Sequence, residues 1–564
     1  MDEWRRSILI PHNVYRVRRA VQDLGAAAVE QRAARRTCLA RCFIRTCKQR
    51  KRGLKIADST GNELSGGAVL MRTMILRRLL VRHVLAPDEQ YVGLLLPPSV
   101  GAFLANMAVT LDRRVPVNLN YSVTPDIINE CIRQAGIRHV LTSRRFMEKM
   151  KLDLQAELVF LEDLPNRLTW RDKVVGLAGR YLLPSRCLEW WFGLQDVQDD
   201  DLATVVFTSG STGQPKGVML TQANVASNID AIEQVVRLTH TDVLVGILPF
   251  FHSFGYTVTL WTVMAIDVQG VFHFSPLDGK QIGKLCKKHG GTVLLATPTF
   301  LRTYLRRCER DDFTSLDVVV AGAEKLPLDL ADAFEKKYGI RPIEGYGTTE
   351  LSPLVSVNVP PSRSCGGGQV ELKEGSVGRP VPGVSAKITD LDTGAELPVG
   401  QQGMLWVRGP NVMKGYLNRP DLTAEVVKDG WYMTGDVAII DQDGFIHITG
   451  RESRFSKIGG EMVPHIRVEE AIARLLGAGE EDGPQIAVTA VPDATRGERL
   501  VVLHTRIGKT PDELRDQLKD DGLPCLYIPS TDSFREVAHI PVLGSGKLDL
   551  RAVKKLALEA FPPS

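Results

Sequence analysis

The sequence lacks the cysteine pattern of a disulfide-stabilised protein or of a zinc site. Its nine cysteines are odd in number and scattered, and no two of them show Cys-x2-Cys spacing. Paired spacing is typical of zinc ligands, and an even count is typical of secreted disulfide frameworks. We therefore expect reduced thiols and a cytoplasmic protein.

The sequence also lacks an unbroken apolar run that could cross a membrane. The charge-free stretch Tyr91 to Leu111 is divided by Pro97 and Pro98. This predicts a buried strand, a turn and a helix that starts near Val100. A second strand at Val115 to Asn118 would then complete a βαβ unit. The N-terminus offers arginines but no apolar core of a signal peptide, so we expect none.

Charge is unevenly distributed along the chain. Residues 1–55 contain 15 Lys and Arg against 4 Asp and Glu, a net charge of +11, whereas the whole chain carries +4. We interpret residues 1–55 as a basic N-terminal extension. It is either a solvated helix or a contact with the anionic inner surface of a membrane, where basic residues bind favourably. It lacks the aromatic residues and fold signatures of nucleic-acid recognition, so no nucleic-acid partner is expected.

The remaining chain alternates short apolar strands with helical stretches, which predicts an α/β fold with parallel sheets. At 564 residues it is too long for one core. We predict a large domain over residues 56–449, made of layered α/β subdomains and a β-rich subdomain. A small, mobile α+β domain follows over residues 450–564, after a hinge at Gly450 to Arg454.

A glycine- and hydroxyl-rich loop follows the apolar strand that ends at Phe207. It reads Thr208-Ser209-Gly210-Ser211-Thr212-Gly213-Gln214-Pro215-Lys216-Gly217. Small residues let backbone N–H groups, hydroxyls and one ammonium approach a single anion, so this loop predicts a phosphate site. It is not a Walker loop, because its lysine follows a proline where that motif has a glycine. The order instead resembles the phosphate loop of the adenylate-forming superfamily, which contains acyl-CoA synthetases, luciferases and peptide-synthetase adenylation domains.

Further segments resemble this superfamily in the required order. They are Ala321-Gly322-Ala323-Glu324, Tyr346-Gly347-Thr348-Thr349-Glu350, Trp431 to Asp436, Gly450-Arg451 and Gly544-Ser545-Gly546-Lys547. The resemblance implies that Gly322, Ala323, Glu324 and Tyr346 contact adenine. It implies that Thr349 holds the α-phosphate, that Gly347 and Thr348 of the same segment bind the nucleotide, and that Asp436 and Arg451 reach the ribose.

The resemblance also implies the catalytic chemistry. A carboxylate oxygen attacks the α-phosphorus of ATP, pyrophosphate departs, and a phosphopantetheine thiol then takes the acyl group. Glu350 would bind Mg²⁺, as suits a hard oxygen ligand. His252, within Pro249 to Gly255, would line the acyl pocket near the carboxylate. Lys547 would stabilise charge on the α-phosphate and would leave when the small domain, which also carries Gly459 and Gly460, rotates.

Within the superfamily the chain is similar to the ligase half of the bifunctional acyl-ACP synthetase/2-acylglycerophosphoethanolamine acyltransferase. The segments that resemble it are Arg454 to Val463, Pro541 to Lys547 and Pro116 to Tyr121. We therefore predict activation of a fatty acid and transfer to acyl carrier protein, whose acidic surface Arg454 and Lys457 would attract. The alternatives are an acyl-CoA synthetase, a fatty acyl-AMP ligase and, remotely, a non-catalytic lipid-binding protein at the membrane.

Overall fold

The computed structural model describes residues 38–208, 214–364, 371–451, 454–458, 461–476, 484–493, 497–542 and 548–562. The chain divides into two compact units. Unit 1 comprises the described residues up to Lys387, together with Trp406–Thr434 and Ile440–His447. Unit 2 comprises Ile388–Leu405, Gly435–Ile439 and the described residues from Ile448 onward.

The first part of unit 1 contains six strands and seven helices among the described residues. They are α1 (Leu39–Gln49), β1 (Leu54–Asp58), β2 (Glu63–Ser65), α2 (Gly66–His83), β3 (Tyr91–Leu94), α3 (Val100–Leu111), β4 (Val115–Asn118), α4 (Pro125–Ala135), β5 (His139–Thr142), α5 (Arg144–Met150), β6 (Glu157–Phe160), α6 (Trp170–Tyr181) and α7 (Ser185–Trp191).

The chain continues through the strands and helices that carry most of the predicted site. They are β7 (Leu202–Thr208), β8 (Lys216–Thr221), α8 (Gln222–Val236), β9 (Val243–Gly246), a π-helix (Phe254–Trp261), α9 (Thr262–Ala265), β10 (Gln269–Phe272), α10 (Gly279–His289), β11 (Val293–Ala296), α11 (Pro298–Arg307), β12 (Val318–Ala321), α12 (Leu328–Tyr338), β13 (Ile343–Gly347), β14 (Leu354–Val357) and β15 (Arg379–Pro380).

The remaining elements are shorter in the middle of the chain and form an α+β arrangement towards its end. They are β16 (Ser385–Thr389), β17 (Gln402–Arg408), β18 (Gly415–Tyr416), α13 (Pro420–Val426), β19 (Val427–Lys428), β20 (Trp431–Ile440), β21 (Ile446–Arg451), β22 (Phe455–Ile458), β23 (Glu461–Pro464), α14 (His465–Leu476), β24 (Ile486–Asp493), β25 (Gly497–His504), α15 (Pro511–Asp520), β26 (Phe534–Glu536) and α16 (Leu550–Ala560).

Unit 1 contains the parallel sheets that the strand pattern predicts. A nine-stranded sheet has the order β15-β14-β13-β12-β11-β9-β10-β1-β2, and its strands from β13 to β1 are parallel. A four-stranded parallel sheet has the order β4-β3-β5-β6. The predicted βαβ unit is confirmed, since β3 and β4 pair in parallel through α3. No described helix is long and apolar enough to span a membrane.

A third sheet of unit 1 is antiparallel and has the order β18-β8-β7. In unit 2, the strands β23-β22-β25-β24 form an antiparallel sheet to which β26 adds in parallel beside β25. The apolar sides of α14 and α15 pack on this sheet through Val468, Ile472, Leu514 and Leu518. Unit 2 thus has a hydrophobic core of its own.

The described part of the predicted basic extension is packed into unit 1. On α1, Leu39, Phe43, Ile44 and Cys47 are buried. Lys55 is fully buried and donates hydrogen bonds to the carbonyl oxygens of Ile266 and Val268, at 2.9 and 2.7 Å, and burial lowers its pKa to about 7. These residues therefore differ from a solvated helix, because their apolar face completes a core that the charge count alone does not reveal.

Candidate active site

The predicted phosphate loop connects two paired antiparallel strands. Thr208 at the end of β7 lies opposite Lys216 at the start of β8. The residues between them that carry most of the prediction, Ser209, Gly210, Ser211, Thr212 and Gly213, lie outside the described residues. The strand pairing fixes Thr208 and Lys216, which flank this segment on either side.

The second predicted segment forms a tight loop at the end of β13. At Gly347 a Cβ atom would overlap the carbonyl oxygen of Pro353, so only glycine fits there. The amide of Thr348 donates to that same oxygen at 3.1 Å. The hydroxyl oxygen of Thr348 is buried and has no hydrogen-bond partner among the described residues. A buried hydroxyl without a partner is costly, and a phosphoryl oxygen would supply one.

Glu350 is held from both its backbone and its side chain. Its carbonyl oxygen accepts a hydrogen bond from the amide of Met413 at 2.8 Å. Its Oε1 accepts one from the hydroxyl of Tyr416 at 2.9 Å. The Nζ of Lys216 lies 5.2 Å from the centre of the Tyr416 ring. The predicted metal ligand and the predicted phosphate ligand therefore lie on either side of one tyrosine.

Burial and the charge of Glu350 keep two tyrosines of this site protonated. The pKa of Tyr416 is raised, first by burial and then by the carboxylate of Glu350. The pKa of Tyr432 is raised well above its usual value by burial, with Glu350, Tyr416 and Tyr346 adding to the shift. Tyr416 is therefore a hydrogen-bond donor to Glu350 throughout the physiological pH range.

The segment Pro249 to Gly255 meets the same loop. The hydroxyls of Ser253 and Thr349 lie 3.3 Å apart. The neighbouring His252 is exposed, and its ring lies 4.6 Å from that of Phe251, which in turn contacts Tyr121 edge-on at 4.7 Å. His252 therefore lies at the edge of an aromatic cluster, next to Ser253, whose hydroxyl contacts that of Thr349.

The turn after β12 also reaches this segment. A Cβ atom at Gly322 would lie 3.0 Å from Cε1 of Phe254, so the absent side chain leaves room for that ring. Ala323 has the left-handed backbone conformation, with φ of 68°. The carboxylate of Glu324 accepts a hydrogen bond from the hydroxyl of Thr299 at 2.9 Å. On β13, Tyr346 pairs with Ser356 of β14.

Two of the predicted ribose ligands lie in unit 2. The Nε of Arg451 forms an ion pair with Oδ1 of Asp436 at 2.8 Å, and Asp436 is buried. The two residues predicted to bind the same sugar are thus in contact with each other. Lys547, Gly459 and Gly460 lie outside the described residues.

The structure adds residues that the motifs did not predict. Tyr416 holds the carboxylate of Glu350, and Ser253 contacts Thr349. Asn411 donates to the carbonyl oxygens of Leu351 and Leu354, at 3.0 and 3.2 Å. For Tyr416, the one local signal in the sequence is the preceding glycine, Gly415. In the structure Gly415 has a φ of 148°, which favours glycine. The position of Tyr416 depends on β18 pairing with β8, which lies some 200 residues away in the sequence and which no local pattern predicts.

The carrier-protein docking hypothesis for Arg454 is wrong. Arg454 is only 6% exposed and is paired with Glu469, whose Oε1 also accepts a hydrogen bond from the amide of Val488. Because the carboxylate of Glu469 offsets its charge, Arg454 contributes little to a surface field that would attract an acidic protein. The side chain of Lys457 lies outside the description.

The described residues fit ATP and magnesium. The buried Thr348 hydroxyl, which has no hydrogen-bond partner among the described residues, suits a phosphate, and Lys216 supplies a positive charge. Glu350 provides one carboxylate, of which one oxygen is engaged by Tyr416. Mg²⁺ is commonly held by one or two carboxylates together with substrate phosphates and water.

A family model called AMP-binding enzyme matches residues 31–417. The chain belongs to this family. A long-chain-fatty-acid–CoA ligase of Salmonella typhimurium is 28% identical over 491 residues, covering 82% of this chain and 84% of that one. The predicted superfamily is thereby confirmed, and the chain is an adenylate-forming acid–thiol ligase.

Solved structures of AMP-binding enzymes have the same fold. ATP-bound MatB from Rhodopseudomonas palustris is 27% identical, with a TM-score of 0.73 over 92% of this chain and 98% of that one. The o-succinylbenzoate coenzyme A synthetase MenE of Bacillus subtilis, in complex with ATP and magnesium ion, is 22% identical, with a TM-score of 0.74 over 91% and 99%. The predicted mixed α/β fold, with a large first domain and a smaller one after it, is confirmed.

Proposed function

We propose that this AMP-binding enzyme joins a long-chain fatty acid to coenzyme A through an acyl-AMP intermediate. The convergence of Lys216, Tyr416 and Glu350 at the Gly347 loop supports the first half-reaction. The relatives described as long-chain-fatty-acid–CoA ligases support the substrate and the acceptor. The buried ion pair of Arg454 with Glu469 weakens one of the two electrostatic arguments for acyl carrier protein.

In the first half-reaction, a carboxylate oxygen forms a bond to the α-phosphorus of ATP while the bond to the pyrophosphate oxygen breaks. The enzyme contributes position and charge, since it forms no bond itself. Lys216 and the residues of the 208–213 loop would neutralise the leaving pyrophosphate, and Thr348 and Thr349 would donate to the α-phosphate. Glu350 would hold Mg²⁺, which supplies further charge neutralisation when bound.

In the second half-reaction, a thiol sulfur attacks the acyl carbon, the bond from that carbon to the phosphate oxygen breaks, and AMP leaves. The thiol proton passes to solvent. Asp436 and Arg451 would hold the ribose, and His252 would position the fatty acid near its carboxylate. Lys547 would act in the first half-reaction, and Gly459 and Gly460 would move with it when the small domain rotates to admit the thiol.

The test is ATP–pyrophosphate exchange measured over saturated fatty acids of increasing length, followed by thioester formation with coenzyme A or with carrier protein bearing phosphopantetheine. We expect exchange only with a fatty acid present, strongest for long chains, and faster transfer to coenzyme A. Faster transfer to carrier protein would overturn the proposed acceptor but leave the adenylation intact. Fatty-acid binding without exchange would instead favour a non-catalytic lipid-binding protein.

A further inference from the structure

Helix α6 exposes its large apolar side chains and buries two glycines and an aspartate, which is the opposite of an ordinary surface helix. Trp170, Val174, Leu177 and Tyr181 recur at helical spacing and form one exposed stripe. Trp170 is 69% exposed. Leu182 and Trp190, which follow on the chain and on α7, are 78% and 76% exposed. We call these six residues the aromatic patch.

The inner side of α6 explains why the large residues face outward. It consists of Asp172, Gly176 and Gly179, all buried against α2. A Cβ atom at Gly176 would lie 2.9 Å from Cδ1 of Ile75, and one at Gly179 would overlap the sulfur of Met74. Asp172 is paired with Arg78 and Arg82 at 3.0 and 2.8 Å. The helix is therefore fixed in this orientation by close backbone packing and a buried carboxylate.

The charges around the aromatic patch have one sign. From Leu164 to Leu194 the only acidic residues are Asp172 and Glu189, and both are buried in ion pairs, Glu189 with Arg45 at 2.8 Å. The basic residues Arg171, Lys173 and Arg186 are exposed. In addition, the Nζ of Lys51 lies 4.8 Å from the centre of the Tyr181 ring. The segment thus combines exposed tryptophan, tyrosine and leucine with exposed positive charge, and both of its acidic residues are buried.

We infer that the aromatic patch is a docking surface for an anionic lipid bilayer. Tryptophan and tyrosine favour the boundary between headgroups and acyl chains, where their rings are half in hydrocarbon and half in water. Exposed arginine and lysine bind the anionic headgroups. An apolar patch rimmed by charge on a monomer marks an interaction site. This inference does not depend on the proposed acyl acceptor.

Charge complementarity favours a bilayer over the chain's own first residues as the occupant. Residues 1–37 contain eight arginines and four acidic residues, so they are themselves basic. A basic segment would be repelled by Arg171, Lys173 and Arg186, whereas phosphatidylglycerol headgroups would be attracted. A second copy of the chain would likewise bring one basic patch against another.

The experiment is sedimentation of the full chain with vesicles of phosphatidylcholine alone, or of phosphatidylcholine and phosphatidylglycerol in equal parts. We expect binding to the anionic vesicles. The triple variant Trp170→Ser, Leu182→Ser, Trp190→Ser should weaken it at least about ten-fold, since it removes the interfacial side chains. The triple variant Arg171→Gln, Lys173→Gln, Arg186→Gln should weaken it by about five-fold per residue at low salt.

A matched control removes exposed apolar residues elsewhere. Leu277→Ser, Leu328→Ser, Val399→Ser changes side chains that are 53%, 53% and 39% exposed. It should bind vesicles like the unchanged protein. Melting temperature and ATP–pyrophosphate exchange with a short, water-soluble acid should be the same for all three triple variants, which separates lost docking from lost folding.

Three results would overturn the inference. The first is an absence of vesicle binding. The second is binding that survives loss of the aromatic patch but disappears in Arg16→Glu, Arg18→Glu, Arg19→Glu, which would assign the contact to the N-terminal residues. The third is a dimer in sedimentation velocity that the aromatic-patch variant dissociates while vesicle binding is unaffected, which would assign the patch to a second copy of the chain.

Discussion

At the scale of single residues, one tyrosine of the candidate site contacts both a carboxylate and a cation. Tyr416 donates to Glu350 while its ring lies beside the ammonium of Lys216. The hydrogen bond fixes one oxygen of the carboxylate and leaves the other available. In the proposed mechanism, Tyr416 therefore determines the direction in which Glu350 presents its charge to the metal.

We predict that Glu350→Gln has weak activity and a raised magnesium requirement, because the amide keeps the shape of the carboxylate but not its charge. Tyr416→Phe should shift the magnesium requirement in the same direction by roughly ten-fold, the scale for losing an orienting partner of a metal ligand. The measurement is exchange rate against magnesium concentration. Tyr338→Phe removes a buried hydroxyl bonded to the carbonyl of Tyr304 and should leave this dependence unchanged. The same curve for all three variants would place the metal elsewhere.

Motifs located Thr208, Lys216, Thr349 and Glu350 because each lies in a short, ordered segment. They could not locate Tyr416 or Ser253, because these act through contacts between segments that are far apart in sequence. The wrong interpretation of Arg454 has the same origin. Its charge is visible in the sequence, whereas its burial against Glu469 depends on how α14 packs on the sheet of unit 2.

At the scale of secondary-structure elements, strand ends position the site. β7, β12 and β13 each end at a predicted ligand or adenine-contact segment. The apolar strands were predictable, and β4 has the boundaries that the sequence indicates. Helix α1 was not, because its basic residues hide the buried face of Leu39, Phe43 and Ile44. The apolar pattern of a strand can be read from neighbouring residues. A helix that packs on a core formed by residues far away in the sequence is recognised only from the structure.

We predict that Gly347→Ala lowers fatty-acid-dependent exchange by roughly 10²-fold, since a displacement of about one ångström at a reacting centre can cost that much. The added methyl would force the Thr348 to Pro353 loop apart at the Pro353 oxygen. Gly508→Ala is the matched control, because a Cβ there meets nothing within 4 Å. Exchange kinetics and thermal melting of both variants provide the test. Equal exchange by the two would show that the loop tolerates the displacement.

At the scale of the whole molecule, two compact units carry different predicted functions. Unit 1 contains Lys216, Thr349 and Glu350, and unit 2 contains Asp436 and Arg451. The resemblance also assigns Lys547, near the end of the chain, to the first half-reaction alone. The predicted ligands are therefore distributed over both units. Rates measured separately for the two half-reactions can assign each residue to one of them.

We predict that Lys547→Ala lowers acyl-AMP formation by roughly 10²-fold or more, the scale of losing one charged transition-state donor. Thioester formation from supplied acyl-AMP should change far less. Lys519→Ala, which removes an exposed lysine of α15, should affect neither step. Single-turnover measurements of each half-reaction distinguish the outcomes. Equal loss of both steps in Lys547→Ala would contradict a role confined to adenylation.

The arrangement of thiols gives the molecule a built-in attachment point for a spectroscopic probe. Of the eight described cysteines, only Cys187 and Cys525 are exposed. Cys187 lies on α7, between the basic Arg186 and the tryptophans of the same helix. In a Cys525→Ser, Cys365→Ser background, a maleimide dye should react fastest at Cys187. Its emission would then report the polarity next to the aromatic patch in real time, without altering a single side chain of that patch.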